Sequence, residues 1–256
     1  MSLARTAAAV FAALMLFAAM PVRAGPAADA KQSEFERMLK DYLAAHPEAI
    51  QEALDTLAAR KAAAKAEQQK ATIRANRREL FSSPRQVTLG DRAGDVTLVE
   101  FFDYNCGYCK RALADLLELM NNDPKLKVVL KEYPILGPDS VEAARVAVAV
   151  RMQDAGARYF AFHRKLLENR GHNDKARALA AAEETGFDMA RLERDMASED
   201  VTKSIDESLR LGKALAINGT PGYVVGERVV IGARGEEVLK DGVAAARSQK
   251  SEIGNQ

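Results

Sequence analysis

The sequence predicts an α/β protein in which a block of helices interrupts a small sheet, with a further helical region in front. Two observations support this prediction: short apolar runs of strand length, and longer stretches with apolar residues at helical spacing. The segments are strands at 86–89, 96–102 and 125–133, a helix at about 107–120, a helical block at about 140–215, two short strands around Gly226-Glu227, and a last helix. The predicted order is therefore strand–helix–strand, helical insertion, strand–strand–helix.

The first residues, MSLARTAAAVFAALMLFAAMPVRAG, have the layout of a secretory signal peptide. Arg5 provides a positive start, an apolar run follows, and small residues lead up to Ala24. We expect residues 1–24 to be removed, with Ala28 and Ala30 as alternative cleavage sites. The other interpretation is a membrane anchor, but an apolar run of about 14 residues falls short of the ~20 that a spanning helix needs. Export implies an oxidising compartment, in which disulfides persist.

The charge of the chain does not indicate a polyanionic partner. It has 37 Lys and Arg against 36 Asp and Glu, so no overall field steers it towards nucleic acid or anionic lipid. Seven Lys and Arg against one Glu lie between Arg60 and Arg78. No aromatic residue interleaves with these charges, so we interpret this stretch as a solvated helix face and expect no nucleic-acid partner.

The region after the signal peptide, residues 25–83, is predicted to be helical. Residues 25–32 are rich in Ala, Pro and Gly, which predicts a flexible start. Ser33 and Glu36 have the spacing of a capping box at a helix N-terminus. Pro47 fits the first turn of a second helix.

Apolar residues at helical spacing within residues 33–57 have no sheet of their own to cover, so we expect a partner subunit to cover them. They are Phe35, Met38, Leu39, Tyr42, Leu43, Ile50, Leu54 and Leu57. Beyond them the apolar pattern ends while helix-forming composition continues, which predicts a charged helical spacer at 58–80. The main domain is predicted at 84–256, beginning at Pro84, with its helical insertion at about 138–215. The chain is therefore expected to be a homo-oligomer held together through residues 33–57.

Cys106 and Cys109 are the only cysteines in the chain, within VTLVEFFDYNCGYCKRALADLLELM. A structural disulfide that closes so short a loop restricts the unfolded chain little. A structural zinc site needs about four ligands, whereas His46, His163 and His172 are scattered without ligand spacing. We therefore expect no metal and no cofactor, and interpret the cysteines as a redox pair that exchanges disulfides with a substrate.

The position of the pair at the start of a predicted helix assigns a role to each sulfur. Unpaired backbone N–H groups and the helix dipole stabilise a thiolate at a helix N-terminus. Cys106, which follows the apolar strand directly, is therefore predicted to be the attacking thiol. Cys109 lies one turn further along the helix and is expected to be less exposed, which makes it the resolving thiol.

The chain resembles the DsbA family of thiol–disulfide oxidoreductases in two motifs and in the helical block between them. The motifs are EFFDYNCGYCK and, about 110 residues later, GTPGYVVG. The N-terminal helices followed by VEFFDYNCGYC are especially similar to the branch that includes the suppressor-of-copper-sensitivity C (ScsC) proteins. The resemblance covers roughly residues 86–250. It implies a thioredoxin fold with an inserted helical domain, a periplasmic location, cysteine-containing exported proteins as substrates, and a membrane redox partner of the Dsb type.

The resemblance also implies roles for residues outside the cysteine pair. Thr220-Pro221 matches the loop in which the family has a cis-proline facing the cysteines, where a free backbone edge pairs with an extended substrate peptide. Gly222 departs from the bulkier residue often found there. Glu100 matches an acidic residue beneath the redox pair. Burial in an apolar strand raises the pKa of such a carboxyl, which would allow it to carry protons to or from Cys109.

Several interpretations stay open around the site. For Glu100 the alternative is an exposed strand-end glutamate, and Lys131 on the next strand is a candidate ion-pair partner. Tyr104, Asn105 and Tyr108 are expected to shape the rim of the site and its reduction potential, with Tyr108 in contact with substrate. Tyr108 takes the place of the histidine often found beside the second cysteine in strong oxidases.

The resemblance favours a disulfide isomerase or reductase. The dipeptide Gly107-Tyr108 between the cysteines and Thr220 before the proline are more similar to periplasmic isomerases than to strong oxidases. Such isomerases work as oligomers, and residues 33–57 supply an oligomerisation element. A monomeric dithiol oxidase is the alternative. A copper-binding or holdase protein is a third class, because two thiolates bind soft Cu(I) and the resembled branch is linked with copper tolerance.

Overall fold

The computed structural model of the chain describes residues 26–254. Its contacts divide the chain into two compact units, a first unit up to Arg60 and a second unit from Lys61. The predicted signal peptide, residues 1–24, lies outside the described residues. Within the described range, no helix combines the length and the apolar character that crossing a membrane requires.

The first unit consists of helix α1 (Pro26–Ala45) and the beginning of helix α2 (Pro47–Ala75). The expectation that Pro47 begins a second helix is confirmed. The α2 helix continues past the end of the first unit, and its last turns belong to the second unit.

Two predictions about the start of this region are wrong. The stretch predicted to be flexible, residues 25–32, is helical from Pro26 onward. Ser33 therefore does not cap a helix N-terminus. It lies inside α1, where its hydroxyl donates a hydrogen bond to the carbonyl of Ala30, 2.8 Å away.

The second unit contains a five-stranded mixed sheet in the order β1-β3-β2-β4-β5. The strands are β1 (Val87–Gly90), β2 (Val96–Phe102), β3 (Leu126–Glu132), β4 (Gly222–Val225) and β5 (Arg228–Ile231). Strands β2 and β3 run parallel, and the other three pairings are antiparallel. The predicted strands are confirmed, with small differences at their ends.

Helices surround this sheet in the predicted order. They are α3 (Arg77–Ser82), α4 (Gly107–Asn122), α5 (Pro138–Gln153), α6 (Ala157–Glu168), α7 (Lys175–Glu184), α8 (Met189–Met196), α9 (Glu199–Ala214) and α10 (Glu236–Gly254). Helix α4 connects β2 to β3, and α5 to α9 form the helical insertion between β3 and β4. The α/β order expected from the sequence is confirmed.

Both faces of the sheet are buried. On one face, β2 and β3 join a core with α4, α10 and the helical insertion, through residues that include Leu98, Phe102, Leu113, Leu116, Leu130 and Leu239. On the other face they join a second core, made of Ile73, Leu80, Val99, Phe101, Val129, Tyr133, Leu211, Leu215, Ile217 and Val224. Burial on both faces explains why β2 is mainly apolar, with Thr97 and Glu100 as its polar residues, rather than alternating between apolar and polar residues.

The charged stretch predicted as a spacer is helical, but its C-terminal part belongs to the second unit and packs within it. Ile73 and Leu80 are fully buried in the second core. The side-chain amide of Gln69 donates to the carbonyl of Leu215 at 2.7 Å. A helical spacer without such contacts is therefore confined to the residues before Gln69.

The candidate ion pair between Lys131 and Glu100 is wrong. Glu100 stands beside Leu130 in the β2–β3 register, and successive side chains of a strand point to opposite faces. The Lys131 ammonium is buried on the opposite face, where it donates to the Glu79 carbonyl at 2.8 Å and pairs with Glu207 at 3.2 Å.

Candidate active site

The two cysteines lie where β2 leads into α4. Cys106 is the N-cap residue of α4, and its backbone is still extended, with φ −78° and ψ 114°. Cys109 lies in the first turn of the helix. Cys106 retains 6% of its exposed surface and Cys109 none, and both are free thiols in this structure. The expectation that the second cysteine is the less exposed one is confirmed.

The surroundings drive the pKa values of the two thiols in opposite directions. The pKa of Cys106 is lowered to about 5. The main cause is a hydrogen bond from the Cys109 thiol, and the backbone N–H groups of Cys109 and Tyr108 at the helix start add to it. Burial raises the pKa of Cys109 far above its usual value of 9.0, and its bond to Cys106 and the charge of Glu100 add to this effect. At neutral pH one sulfur is ionised and its neighbour is protonated.

The Thr220–Pro221 peptide bond is cis, as predicted, and it lies against the redox pair. The Cys106 sulfur lies 3.1 Å from the carbonyl oxygen of Thr220. Strand β4 begins directly after this bond at Gly222, where a Cβ atom would lie 2.5 Å from the Ile217 side chain. The glycine that departs from the family pattern is therefore required by close packing in this chain.

Glu100 is buried in the middle of the sheet with 2% of its surface exposed. The alternative of an exposed strand-end glutamate is therefore wrong. The Tyr223 hydroxyl donates to its carboxyl group at 3.3 Å. Burial raises its pKa from 4.5 to about 7, against the smaller opposing effect of that hydrogen bond. A carboxyl that titrates near neutral pH is suited to exchange protons.

The three residues between β2 and Cys106 all have anchored side chains. The Tyr104 hydroxyl donates to the Glu132 carboxyl group at 3.2 Å and lies 3.1 Å from His163 Nδ1. Asn105 donates to the carbonyl of Asn173 at 3.0 Å and accepts from that residue's N–H at 2.7 Å. Tyr104 and Asn105 therefore support the loop from inside, rather than forming only its rim.

Asp103, the first of these three residues, was missed by the sequence reasoning. Its carboxylate is buried and accepts four hydrogen bonds, three from loop N–H groups and one from the Ser140 hydroxyl in the first turn of α5. The available signal was an acidic residue at the end of an apolar strand, three positions before Cys106.

Tyr108 and the histidines take different positions. Tyr108 is 60% exposed beside the cysteines, with the Arg111 guanidinium 4.4 Å from its ring centroid. His163 is buried on α6, where burial lowers its pKa to about 3. His172 is exposed and lies 2.8 Å from Asp139. Among the described residues, no group of three or more potential ligands is arranged to hold a metal ion.

A model of the DSBA-like thioredoxin domain matches residues 97–244, which include both cysteines and the cis-proline. The chain belongs to this DsbA-like family. It is therefore a member of a family of thiol–disulfide oxidoreductases with a thioredoxin fold and an inserted helical domain. A second model, the N-terminal domain of the copper resistance protein ScsC, matches residues 32–64. The resemblance drawn from the sequence motifs is confirmed.

Solved structures with the same fold include a thioredoxin-like oxidoreductase from Silicibacter pomeroyi, with 43% identity and a TM-score of 0.65 over 68% of this chain and 98% of that one. The catalytic domain of Proteus mirabilis ScsC has 25% identity and a TM-score of 0.63 over 70% of this DsbA-like chain and 98% of that one. A curated relative, the Na(+)/H(+) antiporter NhaA 1 of Salinispora arenicola, is 27% identical over 157 residues. The chain spans only 24% of the length of that antiporter.

Proposed function

We propose that this DsbA-like chain is an exported disulfide isomerase or reductase that acts on cysteine-containing proteins in the periplasm. The observation that supports it best is the split between an ionised Cys106 and a protonated, buried Cys109. The Cys106 thiolate attacks one sulfur of a substrate disulfide, and the other substrate sulfur leaves as a thiolate. The resulting mixed disulfide then has two outcomes.

In isomerisation, a second substrate thiolate attacks the mixed disulfide, forms a new substrate disulfide and regenerates Cys106. In reduction, Cys109 loses its proton and attacks the Cys106 sulfur, so that the substrate leaves with two thiols and the enzyme becomes oxidised. We assign Pro221 and Thr220 to the edge that receives the substrate peptide, Tyr108 to the exposed rim, and Glu100 to proton transfer with Cys109. A membrane redox partner of the Dsb type would restore the working state of the pair.

We further propose that the protein assembles through residues 33–57. In the first unit, seven large apolar side chains are exposed: Phe35, Met38, Leu39, Tyr42, Ile50, Leu54 and Leu57. Burying each of them would contribute about 1.5–3 kcal/mol, which favours association over exposure to water. The match of residues 32–64 to the ScsC N-terminal domain covers the same segment. The domain limits 1–24, 25–83 and 84–256 belong to this proposal.

Light scattering and refolding of a protein with scrambled disulfides test assembly and isomerisation together. Leu39→Asp and Leu54→Asp place charges among the exposed apolar residues. We expect both variants to have a lower molecular mass in solution than the unaltered protein and to lose isomerase activity. Ala44→Asp introduces the same charge at an exposed position on the opposite side of α1, and should preserve both. A monomeric mass for the unaltered protein at micromolar concentration would contradict the assembly and favour a monomeric oxidase.

Copper binding is the second candidate, favoured by the description of the ScsC domain as a copper resistance protein. Two neighbouring sulfurs are suitable ligands for Cu(I), although no larger ligand group exists among the described residues. Measuring catalytic turnover distinguishes copper buffering from disulfide isomerisation. Copper buffering is stoichiometric, whereas isomerisation regenerates Cys106 after each exchange.

A further inference from the structure

The loop between α6 and α7, residues 169–174, contacts the redox motif on both sides of the two cysteines. The residue directly before the pair, Asn105, and the residue directly after it, Lys110, both hydrogen-bond to this loop. The loop belongs to the helical insertion between β3 and β4. The insertion therefore contacts the motif from outside the sheet that carries it.

Asn173 makes the contacts on the N-terminal side of the pair, and it is fully buried. Its side-chain amide donates to the carbonyls of Tyr104 at 2.8 Å and Leu166 at 3.1 Å. Its backbone N–H and carbonyl form two further bonds with the Asn105 side chain, at 2.7 and 3.0 Å. The Asn169 side chain donates to its Oδ1 atom at 2.8 Å. Both polar atoms of the Asn173 side chain are therefore used, which fixes its orientation.

Lys110 makes the contacts on the C-terminal side of the pair. Its ammonium donates to the carbonyl oxygens of Asn169 at 2.8 Å and Gly171 at 2.7 Å. Both acceptors are neutral, so they hold the ammonium in place without cancelling its charge. Lys110 lies one helical turn beyond Cys106, and its N–H donates to the Cys106 carbonyl at 3.1 Å. Because a lysine side chain is flexible, the two loop carbonyls are what keep its charge close to the start of α4.

The charges of Lys110 and Cys106 act on each other. Burial lowers the pKa of Lys110, and the negative charge of Cys106 opposes that effect by raising it. The attraction between two opposite charges is mutual, so the ammonium stabilises the Cys106 thiolate. The neighbouring Cys109 thiol donates to the same thiolate, whereas the charge of Glu100 acts on Cys109.

We propose that the α6–α7 loop positions the redox pair from both sides. Asn173 fixes the two residues that lead into Cys106. The loop carbonyls fix the Lys110 ammonium where its charge stabilises the same sulfur as a thiolate. Asn173 and Lys110 are positioning residues, which act on disulfide exchange through Cys106. The inference goes beyond the proposed function, because it concerns the reactivity of the pair whether the protein isomerises, reduces or oxidises its substrates.

Lys110→Met and Lys110→Arg separate the charge of this side chain from its length. The protein is equilibrated with glutathione at neutral pH, where two glutathione thiols reduce the protein disulfide and form one glutathione disulfide. A stabilised thiolate favours the reduced protein. We expect Lys110→Met to shift this equilibrium constant about threefold towards the oxidised protein. The ionisation constant of Cys106, measured from the pH dependence of its alkylation by iodoacetamide, should fall by about the same factor. Lys110→Arg keeps the charge and should retain the wild-type value of both constants.

Asn173→Ala tests the loop itself. We expect it to lower the ionisation constant of Cys106 by about twofold or more, because the loop that holds the ammonium loosens. In a protein that already carries Lys110→Met, the same substitution should have a smaller effect, since no ammonium remains to be positioned. A change that only destabilised the fold would not produce this coupling. Lys203→Met removes an exposed charge on α9, where Lys203 pairs with Glu199, and should leave both constants unchanged.

Unchanged constants in Lys110→Met or in folded Asn173→Ala would overturn the proposal, and so would a shift in Lys110→Arg as large as that in Lys110→Met. Additive effects of Asn173→Ala and Lys110→Met would overturn it as well, because the loop would then not hold the ammonium. If Asn173→Ala does not fold, Asn169→Ala removes the donor to the Asn173 Oδ1 atom from a partly exposed position, and the same outcomes decide. Neither measurement requires isomerisation or assembly. A protein that shows these shifts but fails to isomerise scrambled substrates would therefore overturn the proposed function alone.

Discussion

Replacing Glu100 with Gln tests whether this carboxyl titrates within the folded protein near neutral pH. Burial raises its pKa from 4.5 to about 7. Each pKa unit corresponds to ~1.36 kcal/mol, so ionising Glu100 costs about 3 kcal/mol more in the folded protein than in the unfolded chain. Because the unfolded chain releases this proton first, the free energy of unfolding should fall as the pH rises from 4.5 to about 7, and then level off.

The Glu100→Gln variant keeps an oxygen that accepts from Tyr223 but cannot ionise. We expect the reduced variant to match the reduced wild type near pH 4.5, and to exceed its free energy of unfolding by about 3 kcal/mol above pH 7. Urea unfolding followed by circular dichroism, at several pH values, measures this difference. Cys106 contributes in the opposite direction, since its lowered pKa adds stability as the pH rises. That contribution cancels because both proteins contain it.

A matched change on the surface provides the control. Glu118 is an exposed glutamate on α4, and Glu118→Gln should show no such growing difference. If the difference between Glu100→Gln and wild type stayed below about 0.5 kcal/mol over the whole pH range, the buried carboxyl would not have the raised pKa. Its assignment to proton transfer would then lose its physical basis.

Three further predictions concern the redox pair and the first unit. Cys106→Ser should abolish disulfide exchange, whereas Cys109→Ser should accumulate mixed disulfides with substrate. The pH dependence of alkylation should show a Cys106 pKa of about 5. Faster alkylation of Cys109 than of Cys106 would reverse the assigned roles. Thr220→Val should raise the Cys106 pKa, measured by thiolate absorbance, because the Thr220 hydroxyl helps to lower it, with little change in melting temperature. Deleting residues 25–60 should give a folded monomer by light scattering, with Cys106 alkylated at the wild-type rate but with reduced isomerase activity.

The order of strands and helices was predictable because local patterns determined it. Strand β2 is buried on both faces and its sequence is apolar except for Thr97 and Glu100, and α4 has its apolar residues at helical spacing. The start of α1 was not predictable in the same way. Pro and Gly near residue 26 indicated a break, and Ser33 with Glu36 matched a cap, yet the helix begins at Pro26 and includes both.

The cysteine pair was predictable from spacing and from the helix that follows it, whereas its supporting contacts were not. Asp103 reaches Ile135 and Ser140, and Asn105 reaches Asn173, across 32 to 68 positions of sequence. No local pattern indicates such partners. The Lys131 prediction failed for a related reason, because adjacent strands suggested a pair but strand register placed its ammonium on the other face.

The geometry also orders the two halves of disulfide exchange in time. Burial is the main cause of the raised pKa of Cys109, and while Cys106 is a thiolate its hydrogen bond with Cys109 and its charge raise that pKa further, so the resolving thiol stays protonated. A mixed disulfide at Cys106 removes that charge, and the bond to the thiolate with it. These two contributions to the pKa of Cys109 are then lost while the larger effect of burial remains. Under the proposed function, Glu100, with a pKa of about 7, would accept the proton that Cys109 releases. We infer that substrate capture lowers the pKa of the resolving thiol and so favours its ionisation at the step where it is needed.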